Sequence, residues 1–145
     1  MSDTTETATT APEPEPKQPP KDDFVYIRVQ LTEEQIEAQF AALFNRLSNS
    51  VCEVAKSHGF WENPNQGEKI ALTHSELSEA LEYIRKNPEA PDNHIPGFTG
   101  VEAEFADVVI RLMDFAAYYK LRLGEAIIAK HKYNVNRPYK HGKKF

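Results

Sequence analysis

Thr99-Gly100-Val101-Glu102-Ala103-Glu104-Phe105-Ala106-Asp107-Val108-Val109-Ile110-Arg111-Leu112-Met113-Asp114-Phe115-Ala116-Ala117-Tyr118-Tyr119 is the stretch whose reading decides the fold class. Its apolar residues do not alternate as a strand's would. Val101, Phe105, Val108, Val109, Leu112, Ala116 and Tyr119 recur at steps of three and four, which places them on one stripe of a helix that begins near Thr99. Upstream, Thr32 and Gln35 form a capping-box pair ahead of the helical pattern Ile36, Phe40, Leu43, Phe44, Leu47, Val51, which ends at His58-Gly59. A further helix is expected from about Lys69 to Arg85, with Ile70, Leu77, Leu81 and Ile84 apolar. A last one is expected over roughly Glu125 to Asn134, with Gly124 in a tight connection before it. The segments between them, Phe60 to Gly67 and Asn87 to Gly97, are rich in turn formers. The reading is an all-α, four-helix bundle-like domain.

The rest of the chain sets bounds around that domain. Its 145 residues leave room for one domain. Residues 1–23 hold five of the ten prolines, six acids and no aromatic residue. Such a segment cannot bury enough apolar surface to offset its ordering entropy, so it reads as a disordered acidic tail, with the domain over residues 24–145. Phe24 to Val29 reads as a short strand or, with no partner strand in sight, an apolar arm. No apolar run has the length of a bilayer span and the N-terminus is polar, which points to a cytoplasmic protein with no membrane partner. The single cysteine, Cys52, excludes an internal disulfide and every cysteine-based zinc cluster, and fits a reducing compartment. Net charge is −5, which argues against stable nucleic-acid binding, although residues 130–145 carry six Lys or Arg and no acid.

The chemistry concentrates in four acids. Glu76 and Glu79 are spaced i, i+3 on one expected helix, and Glu104 and Asp107 repeat that spacing on another. At about 100° per residue each pair borders the apolar stripe of its helix, so the two can converge across the groove between helices. Four carboxylates repel one another unless cations lie among them, and hard divalent ions such as Mg2+, with Mn2+ an alternative, take oxygen ligands. One Glu-x-x-Glu pair alone is commonly a solvated face; two pairs on facing edges are what favour a metal cup. No acid has a histidine three residues on, which removes the di-iron carboxylate bundle.

Glu76-Leu77-Ser78-Glu79, then 24 residues, then Glu104-Phe105-Ala106-Asp107 resembles the ExxE…ExxD signature of the all-α NTP pyrophosphatases, and within them is most similar to the MazG-type enzymes. The likeness runs from about Phe60 to Tyr139 and takes in Gly59-Phe60-Trp61, Glu68-Lys69-Ile70-Ala71-Leu72 and Lys130-x-x-x-Asn134-x-x-Arg137-Pro138. It leaves out residues 1–23, and the proline-rich loop between the acidic helices departs from it. The resemblance implies cleavage of a nucleoside triphosphate between its α and β phosphates. Glu76, Glu79, Glu104 and Asp107 are then the ligands of Mg2+, with Glu79 the carboxylate that orients the attacking water. Lys130, Asn134 and Arg137 contact the phosphates. It further implies homodimers or dimers of dimers with sites near subunit interfaces.

Each implied role has a plainer counterpart. Trp61, the only tryptophan, either stacks on a base or anchors a loop. Phe60 reads as core, Asn63 and Asn65 as turn residues or base readers, and His74 as a helix-surface residue. Asp92 and His94 fall in the long loop. Basic residues near a helix C-terminus are also favoured by its dipole alone. Beside the pyrophosphohydrolase stand a non-catalytic helical oligomerisation or adaptor module, and a dUTP- or phosphoribosyl-ATP-specific relative. The motif handles phosphates and metal, whereas the base pocket sets substrate identity.

Overall fold

The computed structural model describes residues 30–138. The acidic tail, the Phe24 to Val29 segment and the basic end from residue 139 lie outside the described residues. Four helices follow in order: α1 Glu33–Ser57, α2 Gln66–Lys86, α3 Gly100–Tyr118 and α4 Leu123–Val135. No helix among the described residues is long and apolar enough to cross a membrane.

Local chemistry sets the helix starts. Thr32 caps α1, its hydroxyl accepting from the Gln35 N–H at 3.2 Å while the Gln35 side chain accepts from the Thr32 N–H at 2.9 Å. Thr99 and Glu102 repeat this box on α3. Asn65 is the cap of α2 and accepts from the Glu68 N–H at 3.2 Å, which starts that helix three residues earlier than its apolar pattern indicated. At the far end of α1 the chain turns away through Gly59, whose φ of 81° suits glycine. The Asn87–Thr99 loop is organised by Asp92. Its carboxylate accepts from the His94 and Ile95 N–H groups, both at 2.8 Å, and its own N–H donates to the Phe98 carbonyl at 2.9 Å.

The helices pack α2 on α3, α1 on α3 and α4 on α1. Beside Glu76, Met113 and Asp114, the buried residues of these helices are small. Ala41, Ser48 and Cys52 are the buried residues of α1; Ala80, Gly100, Ala103 and Ala116 are buried on α2 and α3. Small side chains allow close backbone approach, and two glycines show how close. A Cβ on Gly100 would lie 2.1 Å from the Tyr83 ring, and one on Gly124 would lie 3.2 Å from the Ala41 Cα. Gly124 therefore sits inside the first turn of α4, pressed on α1, and not in a connecting turn as expected. The bond from the Asn45 amide to Glu125 at 3.2 Å and the Lys132–Glu37 ion pair at 2.6 Å tie the same two helices together.

A consequence corrects the sequence reading of the core. The bulky stripes point largely outward: Ile36, Phe40, Leu43 and Leu47 on α1, Ile70, Leu77, Leu81 and Ile84 on α2, and Phe105, Val109 and Leu112 on α3 are all exposed. Leu43 is 65% exposed and Phe105 49%. α1, α2 and α3 thus each have two apolar surfaces, a small-residue one used within the chain and a bulky one left at the surface.

Candidate functional site

The close α2–α3 contact brings the acids together. Carboxylate oxygens of Glu76, Glu79 and Glu104 all lie within 4.8 Å of one another. Glu76 is buried at 6% exposure, Glu104 is half-buried and Glu79 faces solvent. Burial, then the charges of Glu79 and Glu76, push the Glu104 carboxyl up to about 7. Asp107, one turn further along α3, is exposed and stands outside this tight group. Partial desolvation and the Glu76 charge raise its carboxyl above the usual range, against the opposing pull of Arg111. Arg111 is the cation of the site: its Nε donates to Glu76 Oε1 at 2.6 Å, and its terminal nitrogen pairs with the same oxygen. Asp92 and His94 come close enough to Asp107 to act on its charge. Hydrogen bonds from the Ile95 and His94 N–H groups hold the Asp92 carboxyl below its ordinary range.

Three clustered oxygens with a single guanidinium beside them fit a hard divalent ion, which takes carboxylate ligands and supplies the missing positive charge. The metal-free cluster makes a pH prediction. A carboxyl raised from 4.5 to about 7 on folding binds more proton in the native state across that window, so its contribution is full below 4.5 and is lost as pH rises through about 7. The melting temperature of metal-free protein should therefore fall between about pH 5 and pH 7.5, and Mg2+ should restore it. Calorimetry at several pH values checks this, and a melting temperature that rises across the window contradicts it.

A cavity of about 500 Å³ lies beside the acids, between α1 and α3. Val51, Val54, Ala55, Phe60 and Ile110 make it apolar; Ser50, His58, Arg111 and Asp114 make it polar; and Glu76 and Asp107 join it to the carboxylate cluster. Phe60, expected in the core, is exposed along this cavity because the chain leaves α1 through Gly59 toward solvent. Trp61 is 7% exposed. Its ring stacks on Tyr118 at 3.6 Å between centroids and 6° between planes, and the Lys69 ammonium sits 4.1 Å from the ring centre. Its Nε1–H donates to Asp114 Oδ1 at 2.7 Å, so the indole is held from several sides.

The downstream basic element falls elsewhere in the chain. Lys130 and Asn134 are on α4, which packs on α1, and the groove beside them is lined by α4 residues alone. Arg137, just past that helix, donates to Asn134 Oδ1 at 3.2 Å, and both Lys130 and Arg137 lie over the Tyr133 ring. Among the described residues, the groove beside Lys130 and Asn134 and the cavity beside the carboxylates have no lining residue in common. Asn65 is taken up as a helix cap, and His74 is exposed on α2.

Two residues of the site stood out little in the sequence. Arg111 is one of several cations there, and Asp114 is an acid in an apolar run. Their signal is the register of α3: Glu104, Asp107, Arg111 and Asp114 follow at i, i+3, i+7 and i+10, one charged stripe beside the apolar one. No protein-family model, no curated protein and no solved structure matches this chain.

Proposed function

We propose that the chain is a Mg2+-dependent nucleoside triphosphate pyrophosphohydrolase of the MazG-like type, working as a homo-oligomer in nucleotide-pool control. It converts a (d)NTP to the (d)NMP and pyrophosphate. The observation that carries the reading is the junction of the Glu76, Glu79 and Glu104 carboxylates with an apolar cavity of about 500 Å³. A triphosphate suits the first and a nucleoside the second.

Glu76, Glu79, Glu104 and Asp107 are the residues to hold Mg2+, which when bound offsets phosphate charge and acidifies water. Glu79, the solvent-facing member of the tight group of three, accepts the proton of the water that attacks the α-phosphorus. Arg111, already bonded to Glu76, offers further N–H donors toward the phosphates. Lys130, Asn134 and Arg137 form a preassembled basic group for the leaving pyrophosphate. Because they lie on α4, which packs on α1, this reading takes them from the α4 of a second copy.

Pyrophosphate release from a panel of NTPs and dNTPs, with and without Mg2+, tests the reading. Release with at least one of them, dependent on metal, is expected; none with any of them leaves the chain a helical assembly module. Lys130→Met and Asn134→Ala should each fold normally and lower kcat/KM about tenfold or more, the scale of one lost charged or polar phosphate contact. Mixing Lys130→Met chains with Glu79→Gln chains should recover activity where the two sets of residues come from different copies. Full activity in both point variants moves the phosphate grip to Arg111.

A further inference from the structure

Glu76 is the buried member of the carboxylate cluster, its side chain 8% exposed, with Glu79 and Glu104 beside it. A carboxylate so placed needs a cation. Among the described residues that cation is Arg111, which reaches across from α3 to α2. Arg111 has an acid nearer along its own helix: Asp107 is four residues back, the usual spacing of a helix ion pair. Its contacts are nevertheless with Glu76.

The manner of contact carries information. A guanidinium commonly meets a carboxylate fork to fork, with one N–H on each oxygen. Here both nitrogens fall on one oxygen. Nε donates to Glu76 Oε1 at 2.6 Å, and a terminal nitrogen pairs with Oε1 as well. Oε2 takes no cation among the described residues. A pair built for stability alone would engage both oxygens. This one holds the carboxylate by one corner and leaves the other for a second partner, in the place where oxygens of Glu76, Glu79 and Glu104 lie within 4.8 Å of one another.

We infer that Arg111 is a positioning residue for the metal: it holds Glu76 by Oε1 and so keeps Oε2 for the divalent ion. The inference rests on the metal-cup part of the reading above, and it holds whether or not a triphosphate is the substrate. Two effects of Arg111 oppose each other. Its positive charge repels a divalent ion, so by charge alone its removal would tighten metal binding. Its grip on a ligand favours binding, and partners of that kind are worth about 10–100-fold in metal affinity. The grip prevails. The guanidinium is neutralised by Glu76 and its side chain is 38% exposed, so water and salt damp the repulsion.

Calorimetric titration of the full chain with Mg2+ and with Mn2+, no nucleotide present, tests this on two variants. Arg111→Met removes both the charge and the fork, and should bind metal about tenfold or more weaker than wild type. Arg111→Lys keeps the charge but offers a single point donor in place of the rigid fork, so it too should bind weaker than wild type. Lysine leaves a cation beside Glu76, so this variant carries the comparison if circular dichroism shows that the methionine variant has lost its helices. The rise in melting temperature that each ion produces should shrink in parallel. Tighter or unchanged binding in Arg111→Met, or wild-type affinity in Arg111→Lys, overturns the inference and leaves the metal cup standing. A wild type that binds neither ion overturns the cup, and the role of Arg111 with it.

Discussion

Replacing Glu79 by glutamine is expected to lower pyrophosphate release from the best substrate by about 100-fold or more while the helical circular-dichroism signal is kept. Glutamine preserves the shape and removes the charge. Loss of a residue that only orients metal ligands already costs on the order of 10–100-fold, so loss of a ligand and proton acceptor costs at least the upper end of that range. The fold should survive because Glu79 faces solvent and fills no part of the core. The same change removes a charge that contributes to raising Glu104 to about 7, so the metal-free variant should melt higher than wild type. A purely structural glutamate predicts the reverse on both counts: turnover unchanged and no gain in stability. Near-wild-type release would place the metal elsewhere.

The second large effect concerns assembly. Among the described residues the buried apolar ones are Ala41, Cys52, Trp61, Ala80, Ala103, Met113 and Ala116, of which four are alanine. Folding stability is a small difference between large terms, and a core built mainly of alanine contributes little to the favourable side. Meanwhile bulky stripes on α1, α2 and α3 stay exposed, more than a monomer commonly leaves in water. The expected outcome is that the full chain is a dimer or larger at micromolar concentration, with stability that depends on protein concentration. Leu81→Glu, on the exposed stripe of α2, should dissociate it, with loss of most helicity and all turnover. Light scattering that finds the wild type strictly monomeric at micromolar concentration overturns this.

The helices were legible in the sequence because their signals are local. Thr32 with Gln35, Thr99 and the three-four spacing of apolar residues act over one or two turns, and the capping bonds form as those residues dictate. The pairing of Glu76 and Glu79 with Glu104 was equally readable, because i, i+3 spacing fixes a helix edge whatever the helix packs against. The gaps came where a residue serves something distant. Asn65 was a turn residue until α2 needed a cap, and Gly124 was a linker residue until α1 pressed on it.

Taken alone, the sequence determined the all-α class, the four helix positions to within a few residues, and which acids share a helix edge. Those properties depend on backbone periodicity and short-range hydrogen bonds. Tertiary structure alone decided which of two apolar surfaces each helix turns inward. The close approach of Gly100 to Tyr83 and of Gly124 to Ala41 selects the small-residue faces and leaves the leucines and phenylalanines outside. That choice also placed Asp107 outside the tightest carboxylate group, set Arg111 against Glu76, buried Trp61 on Tyr118 and Asp114, and packed the helix of Lys130 and Asn134 on α1. Periodicity cannot report such things, because it records that a face is apolar and not which neighbour is small enough to reach it.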